Sequence, residues 1–103
     1  MNTRRCHIRL LTAALLVCAA GTVDASARTD YLLHCAGCHL PQGKGVPPEV
    51  PTLVGSLGRI AASEEGRDYI ARVPGASQAP ITDAQLAAVL NWVLLEFNSE
   101  TLP

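Results

Sequence analysis

The chain of 103 residues has few aromatic side chains, few charges and a single methionine, Met1. Aromatic residues make up only 4 % of it, which argues against a platform that stacks nucleic-acid bases. Apolar residues make up 49 %, which excludes a disordered tail. The longest uncharged apolar run has 11 residues, at 10–20, whereas a membrane span needs about 20. These limits leave one small globular domain at most.

The first 27 residues have the pattern of an export signal. Three arginines lie among the first nine residues, the apolar run at 10–20 follows, and Ala25-Ser26-Ala27 has the small-x-small form that signal peptidase reads. We therefore predict a cleavable signal peptide at 1–27 and a mature domain at 28–103. The expected location is the bacterial periplasm, with no stable membrane insertion after cleavage.

The predicted mature domain is small and mildly acidic. It has five basic and eight acidic residues, a formal charge of −3, so we expect no nucleic-acid partner. A domain of this size usually needs a disulfide, a metal, a cofactor or a partner to be stable. Cys6 and Cys18 leave with the leader, so only Cys35 and Cys38 remain for such a role.

The pattern of residues 28–103 predicts an all-α fold. Thr29 is a candidate N-cap for a short helix that ends near Cys35. Ser63 begins a second helix, which must stop at or before Pro74. Between these helices, four glycines and four prolines in residues 40–58 predict a long loop, with room for a short helical turn at 53–57.

The last helix has the strongest sequence pattern. Thr82 and Gln85 form a capping box, and Asp83 favours the positive N-terminal end. Apolar residues then recur at three- and four-residue spacing, as Leu86, Leu90, Val93, Leu94 and Phe97. No alternating strand pattern of useful length is present.

The segment Cys35-Ala36-Gly37-Cys38-His39 has the Cys-x-x-Cys-His spacing of covalent c-type haem attachment. Two thiols at this spacing can add to the two vinyl groups of one porphyrin, and the adjacent histidine then serves as an axial iron ligand. Three other uses of the cysteines remain open. A thioredoxin-type redox site would need a βαβ setting, a zinc site would need a second ligand pair, and a plain disulfide would need only the two thiols.

Three further segments accompany the motif: Gly43-Lys44-Gly45, Pro51-Thr52-Leu53-Val54-Gly55, and Ile81-Thr82-Asp83 at the start of a helix that ends near Asn91-Trp92-Val93. With them the sequence resembles the small monohaem cytochromes c of the class I fold. The resemblance implies three to four helices wrapped around one covalently attached haem c, with the first and last helices crossing at Trp92 or its neighbours.

The resemblance also assigns roles to individual residues. Cys35 and Cys38 would form the thioether bonds to haem, and His39 would be the proximal iron ligand. The carbonyl group of Pro51 would accept a hydrogen bond from the ring N–H of His39, which fixes the orientation of the ring.

The sequence departs from this family on the distal side of the haem. The family usually supplies a methionine ligand from the loop before the last helix, but residues 74–81 contain none. Methionine ligation raises the reduction potential, so its absence predicts a lower potential, an open sixth position or another ligand. We expect a vacant or water-occupied position. The distal ligand is unknown; Gln78 and Ser77 are candidates, and His34, Tyr69 and Lys44 are further possibilities in principle.

Three functions are compatible with these features. The first is a periplasmic electron-transfer protein, not an enzyme, that shuttles single electrons between a periplasmic dehydrogenase and a downstream acceptor. Its partners would be redox proteins that dock through a small interface. The alternative is a gas-binding or sensing haem protein with an open distal site. A peroxidase-type enzyme is less well supported, because the chain shows no distal His/Arg pair.

Overall fold

The computed structural model describes residues 22–102, in which the fold is all-α, as predicted. The helices of this part of the chain are α1 (Thr22–His34), α2 (Ala36–His39), α3 (Ser56–Ile60), α4 (Glu64–Arg72), α5 (Pro74–Ser77) and α6 (Asp83–Asn98). Three of these six, α2, α3 and α5, are single turns of four or five residues. Across residues 22–102, none of the helices has the length and apolar character required to traverse a lipid bilayer.

Helix α1 is longer than the sequence predicts. It begins at Thr22, so Thr29 lies inside the helix, and the prediction of Thr29 as N-cap is wrong. No glycine or proline separates Thr22 from Thr29, so nothing local ends the helix between them. Residues 1–21 of the predicted signal peptide lie outside the described residues. The predicted cleavage site after Ala27 falls within α1, where Ala27 is only 3 % exposed.

The middle helices follow the predicted boundaries closely. The side chain of Ser63 caps α4 by accepting a hydrogen bond of 3.0 Å from the N–H of Gly66, and α4 ends before Pro74 as predicted. Pro74 then begins α5 in a stretch predicted as loop, because proline is well suited to the first position of a helix. The short turn expected at 53–57 lies slightly later in the chain, as α3.

The capping box of α6 is confirmed. The hydroxyl of Thr82 accepts the N–H of Gln85 at 3.2 Å, and the side-chain oxygen of Gln85 accepts the N–H of Thr82 at 2.9 Å. The helix continues to Asn98, as the apolar pattern through Phe97 predicts and beyond the end near Val93 that the resemblance implies. Its extra turn contains no glycine or proline, so the helix does not break there.

Helices α1 and α6 cross at a cluster of three aromatic rings. The ring of Tyr31, which is fully buried, lies 5.2 Å from that of Trp92 and 5.6 Å from that of Phe97 between centroids. The rings of Trp92 and Phe97 lie 5.4 Å apart in an edge-on arrangement, which is favourable for aromatic pairs. The crossing therefore includes Trp92, as the resemblance implies, and it places the end of α1 firmly against α6.

A buried asparagine ties the end of α6 to the middle of the chain. Asn98 is 2 % exposed, and its Oδ1 accepts the N–H of Gly58 at 2.9 Å. Its Nδ2 donates to the carbonyl oxygens of Leu53 at 2.9 Å and Val93 at 3.3 Å. This side chain therefore satisfies backbone groups on three segments at once. Nothing in the local sequence around Asn98 signals the role.

Candidate functional site

The Cys-x-x-Cys-His segment forms one turn of helix directly after α1. The carbonyl oxygen of Tyr31 accepts the N–H of Cys35 at 2.9 Å. The carbonyl oxygen of Cys35 in turn accepts the N–H groups of Cys38 at 3.2 Å and His39 at 2.9 Å. Side chains three and four positions apart share one face of a helix. Cys35 therefore shares a face with Cys38 and with His39, and all three residues lie on a single turn.

Cys35 and Cys38 are both free thiols. Cys35 is half-buried and Cys38 is exposed. Burial raises the pKa of the Cys35 thiol, and the nearby carboxylate of Asp30 raises it further. A redox-active thiol of the thioredoxin type needs a lowered pKa, so this environment does not favour that use of the pair.

The imidazole of His39 is oriented by a backbone carbonyl group. Its Nδ1 lies 3.1 Å from the carbonyl oxygen of Pro51, which can only accept a hydrogen bond. The neutral tautomer that makes this bond has its proton on Nδ1 and its lone pair on Nε2. Histidines that bind metals usually have this arrangement, with one nitrogen donating to a carbonyl group and the other free for the metal.

The loop that follows His39 folds back onto it. The N–H of Gly45 donates to the carbonyl oxygen of His39 at 2.9 Å. Val46 and Val50 then exchange two hydrogen bonds of 2.9 Å as an isolated antiparallel bridge. This short hairpin leads directly into Pro51 and so delivers the carbonyl group that holds the ring of His39.

Apolar side chains are exposed on the same loop. Leu40, which follows His39, is 38 % exposed, and Val46 in the hairpin is 54 % exposed. The segment therefore combines two thiols, an imidazole oriented by Pro51 and two exposed apolar side chains.

Within residues 22–102, no three His, Cys, Asp or Glu side chains come together in a way that could hold a metal ion. A structural zinc site needs four such ligands. The zinc interpretation of the motif therefore has no ligand set in the described part of the chain.

The chain is similar to two curated proteins. It is 33 % identical to a cytochrome c-552 of Thermus thermophilus over an alignment of 103 positions, gaps included, which covers 82 % of this chain and 69 % of that protein. This chain belongs to the cytochrome c family. A second cytochrome c-552 of Thermus thermophilus is 35 % identical over an alignment of 78 positions, gaps included, which covers 58 % of this chain and 60 % of that protein. No protein-family model and no solved structure matches this cytochrome c.

As a cytochrome c, the protein carries covalently bound haem c and is an electron-transfer cytochrome. The residues of the Cys-x-x-Cys-His turn fit a covalently bound haem. The thiols of Cys35 and Cys38 are free and lie on one helical turn with His39. The hydrogen bond from His39 to Pro51 leaves Nε2 available for iron. The haem also adds the large apolar surface that a short chain needs for stability.

The residues considered for the distal side of this cytochrome c lie in exposed positions. The hydroxyl of Ser77 donates to the carbonyl oxygen of Val73 at 3.2 Å, and the N–H of Gln78 donates to that of Pro74 at 3.1 Å. These bonds are local to α5 and are those of an ordinary helix end. His34 is exposed and lies one residue before Cys35.

Two features of the site were not predicted from the sequence. The hydroxyl of Tyr31 donates to the carbonyl oxygen of Leu40 at 2.6 Å, which connects the aromatic cluster to the end of the motif. Gly45 is bonded to the backbone of His39. The Gly43-Lys44-Gly45 stretch was a signal for the second feature, since closely spaced glycines mark positions with unusual backbone angles.

Proposed function

We propose that this protein is a periplasmic electron carrier that passes single electrons from a periplasmic dehydrogenase to a downstream acceptor. The observation that supports this most directly is the arrangement of Cys35, Cys38 and His39 on one helical turn, with the ring of His39 oriented by Pro51. This arrangement suits a haem that is held rigidly. The proposed role is that of a carrier and not of an enzyme.

Each residue of the proposed site has a distinct task. Cys35 and Cys38 form the two thioether bonds, and Nε2 of His39 is the proximal iron ligand. Pro51 keeps the imidazole in one orientation through the 3.1 Å hydrogen bond. The bound haem supplies a one-electron iron couple. Hydrogen bonds to the backbone of Cys35, Gly45 and Pro51 hold His39, which keeps the geometry similar in both oxidation states.

The proposed location and partners follow from the sequence pattern. Residues 1–27 are proposed to be a signal peptide and residues 28–103 the cytochrome c domain in the periplasm. The negative formal charge of that domain argues against nucleic acid as a partner, and we propose redox proteins in that role. Removal of the signal peptide would leave no membrane insertion.

The attachment of haem is tested with cysteine and histidine variants of the full chain, exported and purified. Covalent haem stays with the protein on a denaturing gel, and we expect the double variant Cys35→Ala, Cys38→Ala to lose it. Cys18→Ala is the matched control, since that cysteine lies in the predicted leader. We expect His39→Ala to lose the native haem spectrum and His34→Ala to keep it. Covalent haem in the double variant, or a native spectrum in His39→Ala, would contradict the assigned sites.

The carrier role itself is tested by voltammetry of the purified protein. A reversible one-electron wave supports it, together with rapid reduction by a periplasmic dehydrogenase fraction. A protein that carries haem but exchanges electrons only slowly with every such fraction would contradict the role without affecting the haem sites.

A second function is favoured by the lack of a methionine near the site. The only methionine of the chain is Met1, in the predicted leader. The hydroxyl of Ser77 already donates to the carbonyl oxygen of Val73, and Gln78 is exposed at the end of α5. A sixth iron position without a strong protein ligand would bind small neutral molecules such as CO, NO or O₂. The protein would then bind or sense a gas.

A further inference from the structure

We propose that Gly45 is the positioning residue that maintains the hydrogen bond between His39 and Pro51, and that it thereby lowers the reduction potential of the protein. The inference rests on the proposed function, because it takes His39 as the iron ligand. Gly45 does not act on the imidazole directly. It acts through the backbone that carries the carbonyl group of Pro51.

Gly45 is attached to the same residue whose ring it helps to orient. Its N–H donates to the carbonyl oxygen of His39 at 2.9 Å. The ring of His39 in turn donates to Pro51, six residues after Gly45. His39 is therefore held by its backbone at one end of the hairpin and by its ring at the other.

The space around Gly45 has no room for a side chain. A Cβ atom at this position would lie 2.5 Å from the carbonyl oxygen of Val50 and 2.6 Å from that of Pro51. Both contacts are with backbone atoms, which cannot rotate away as the end of a flexible side chain can. The backbone of Gly45 also has a φ of +62°, a conformation that favours glycine. A side chain here would therefore push on the carbonyl group that His39 uses.

A displacement of the Pro51 carbonyl group would not remain local. Val46 and Val50 are joined by two hydrogen bonds of 2.9 Å, so the hairpin between Gly45 and Pro51 is closed. Pressure on Val50 and Pro51 therefore shifts the hairpin against His39. The bond from Nδ1 to the carbonyl oxygen of Pro51 would lengthen or tilt.

That hydrogen bond has a direct effect on the metal ligand. A carbonyl group that accepts the Nδ1 proton makes Nε2 a stronger electron donor, which stabilises the oxidised iron and lowers the reduction potential. Weakening the bond has the opposite effect. The structure therefore predicts that crowding at Gly45 raises the potential.

The test compares two glycines in the holoprotein. Gly55 also has a positive φ, of +71°, but nothing lies within 4 Å of the Cβ that alanine would add there. Gly55→Ala thus also places a side chain at a positive φ, but without the crowding of Pro51. We expect both variants to be less stable than the wild type. Only Gly45→Ala should shift the one-electron equilibrium towards the reduced form, by the order of tenfold, which is about 59 mV.

Equal potentials in the two variants would overturn the inference, because the effect would then come from strain alone. A downward shift in Gly45→Ala would overturn it as well. Failure of the proposed function looks different: the wild type would lack covalent haem, or His39→Ala would keep the native spectrum.

A second measurement uses the wild-type holoprotein, and so does not depend on the folding of a variant. Hydrogen exchange followed by NMR reports the N–H of Gly45 and the Nδ1–H of His39 separately. We expect both protons to be protected and to exchange together, since both depend on the closed hairpin. A protected Nδ1–H beside a freely exchanging Gly45 amide would show that His39 is held without Gly45 and would overturn the inference.

Discussion

The hydroxyl group of Tyr31 donates a hydrogen bond of 2.6 Å to the carbonyl oxygen of Leu40, the residue directly after His39. Leu40 has a φ of 64°, which is uncommon for a residue with a side chain, and it terminates the turn that contains the cysteines. The fully buried ring of Tyr31 packs on Trp92 at the same time. One side chain therefore links the crossing of α1 and α6 to the end of the haem-binding turn.

This link predicts a loss of stability at high pH. Burial raises the pKa of Tyr31 above its ordinary value of 10.0, and a charged Cys35 thiolate would raise it further. In the holoprotein the sulfur of Cys35 is part of a thioether and carries no charge, but burial still raises the pKa of Tyr31. The native state then keeps the phenol protonated where the unfolded chain ionises. Stability is full below about pH 10 and falls as the pH rises through the native pKa.

We expect Tyr31→Phe to lose about 1 kcal/mol at neutral pH, through the missing hydrogen bond, and to show a weaker loss above about pH 10. Tyr69→Phe is the matched control, since Tyr69 is 62 % exposed. Urea unfolding of the holoproteins, followed by circular dichroism at several pH values, measures both effects. Equal changes in the two variants would contradict the assignment to Tyr31.

The three hydrogen bonds of Asn98 predict a large effect on stability. Asn98→Ala would leave the buried N–H of Gly58 and the carbonyl oxygen of Leu53 without these partners, which should lower the free energy of unfolding by about 2–4 kcal/mol. Asn91→Ala, at an exposed position of the same helix, should change it by less than about 0.5 kcal/mol. Urea denaturation of the holoproteins provides the comparison.

Asn98→Asp separates the role of this side chain as an acceptor from its role as a donor. A carboxylate can still accept the N–H of Gly58, but it cannot donate to Leu53. If hydrogen bonding is the cause, both Asn98 variants should be destabilised. An Asn98→Ala protein as stable as Asn91→Ala would show that water replaces the side chain without loss.

The state of the sixth iron position is tested with carbon monoxide. We expect the reduced holoprotein to be high-spin and to shift its optical spectrum when CO is added, because residues 74–81 provide no methionine. Ser77→Ala and Gln78→Ala should behave as the wild type does. A low-spin reduced form that is indifferent to CO would indicate a strong sixth ligand and leave electron transfer as the function. Conversion to high-spin by His34→Ala would identify His34 as that ligand.

The predicted signal peptide is tested by the mass of the exported protein. Cleavage after Ala27 gives a chain that begins at Arg28, although Ala27 is buried within α1 in the folded structure. Export of an unfolded chain would allow cleavage before this burial occurs. Ala27→Leu should block cleavage at this position, because the peptidase reads small residues. An N-terminus upstream of Thr22 in the wild type would show that the whole of α1 belongs to the mature protein.

Local interactions explain why much of the fold could be predicted. The capping box of Thr82 and Gln85 involves residues three positions apart, and so does the cap of α4 by Ser63. The Cys-x-x-Cys-His motif is also local, because its spacing places Cys35, Cys38 and His39 on one turn. The boundaries that differ, at the start of α1 and the end of α6, lie where no helix breaker is present and packing decides how far the helix extends.

The sequence by itself determined the all-α class, the caps of α4 and α6 and the spacing of the Cys-x-x-Cys-His turn, because each depends on residues within a few positions of one another. Only the tertiary structure decided that Asn98 would reach Gly58, 40 residues away, and that Gly45 would lie against the carbonyl group that orients His39. Such pairs form only after the chain has closed long loops around its core. Their partners are backbone groups, which every residue carries, so no residue type marks them in advance.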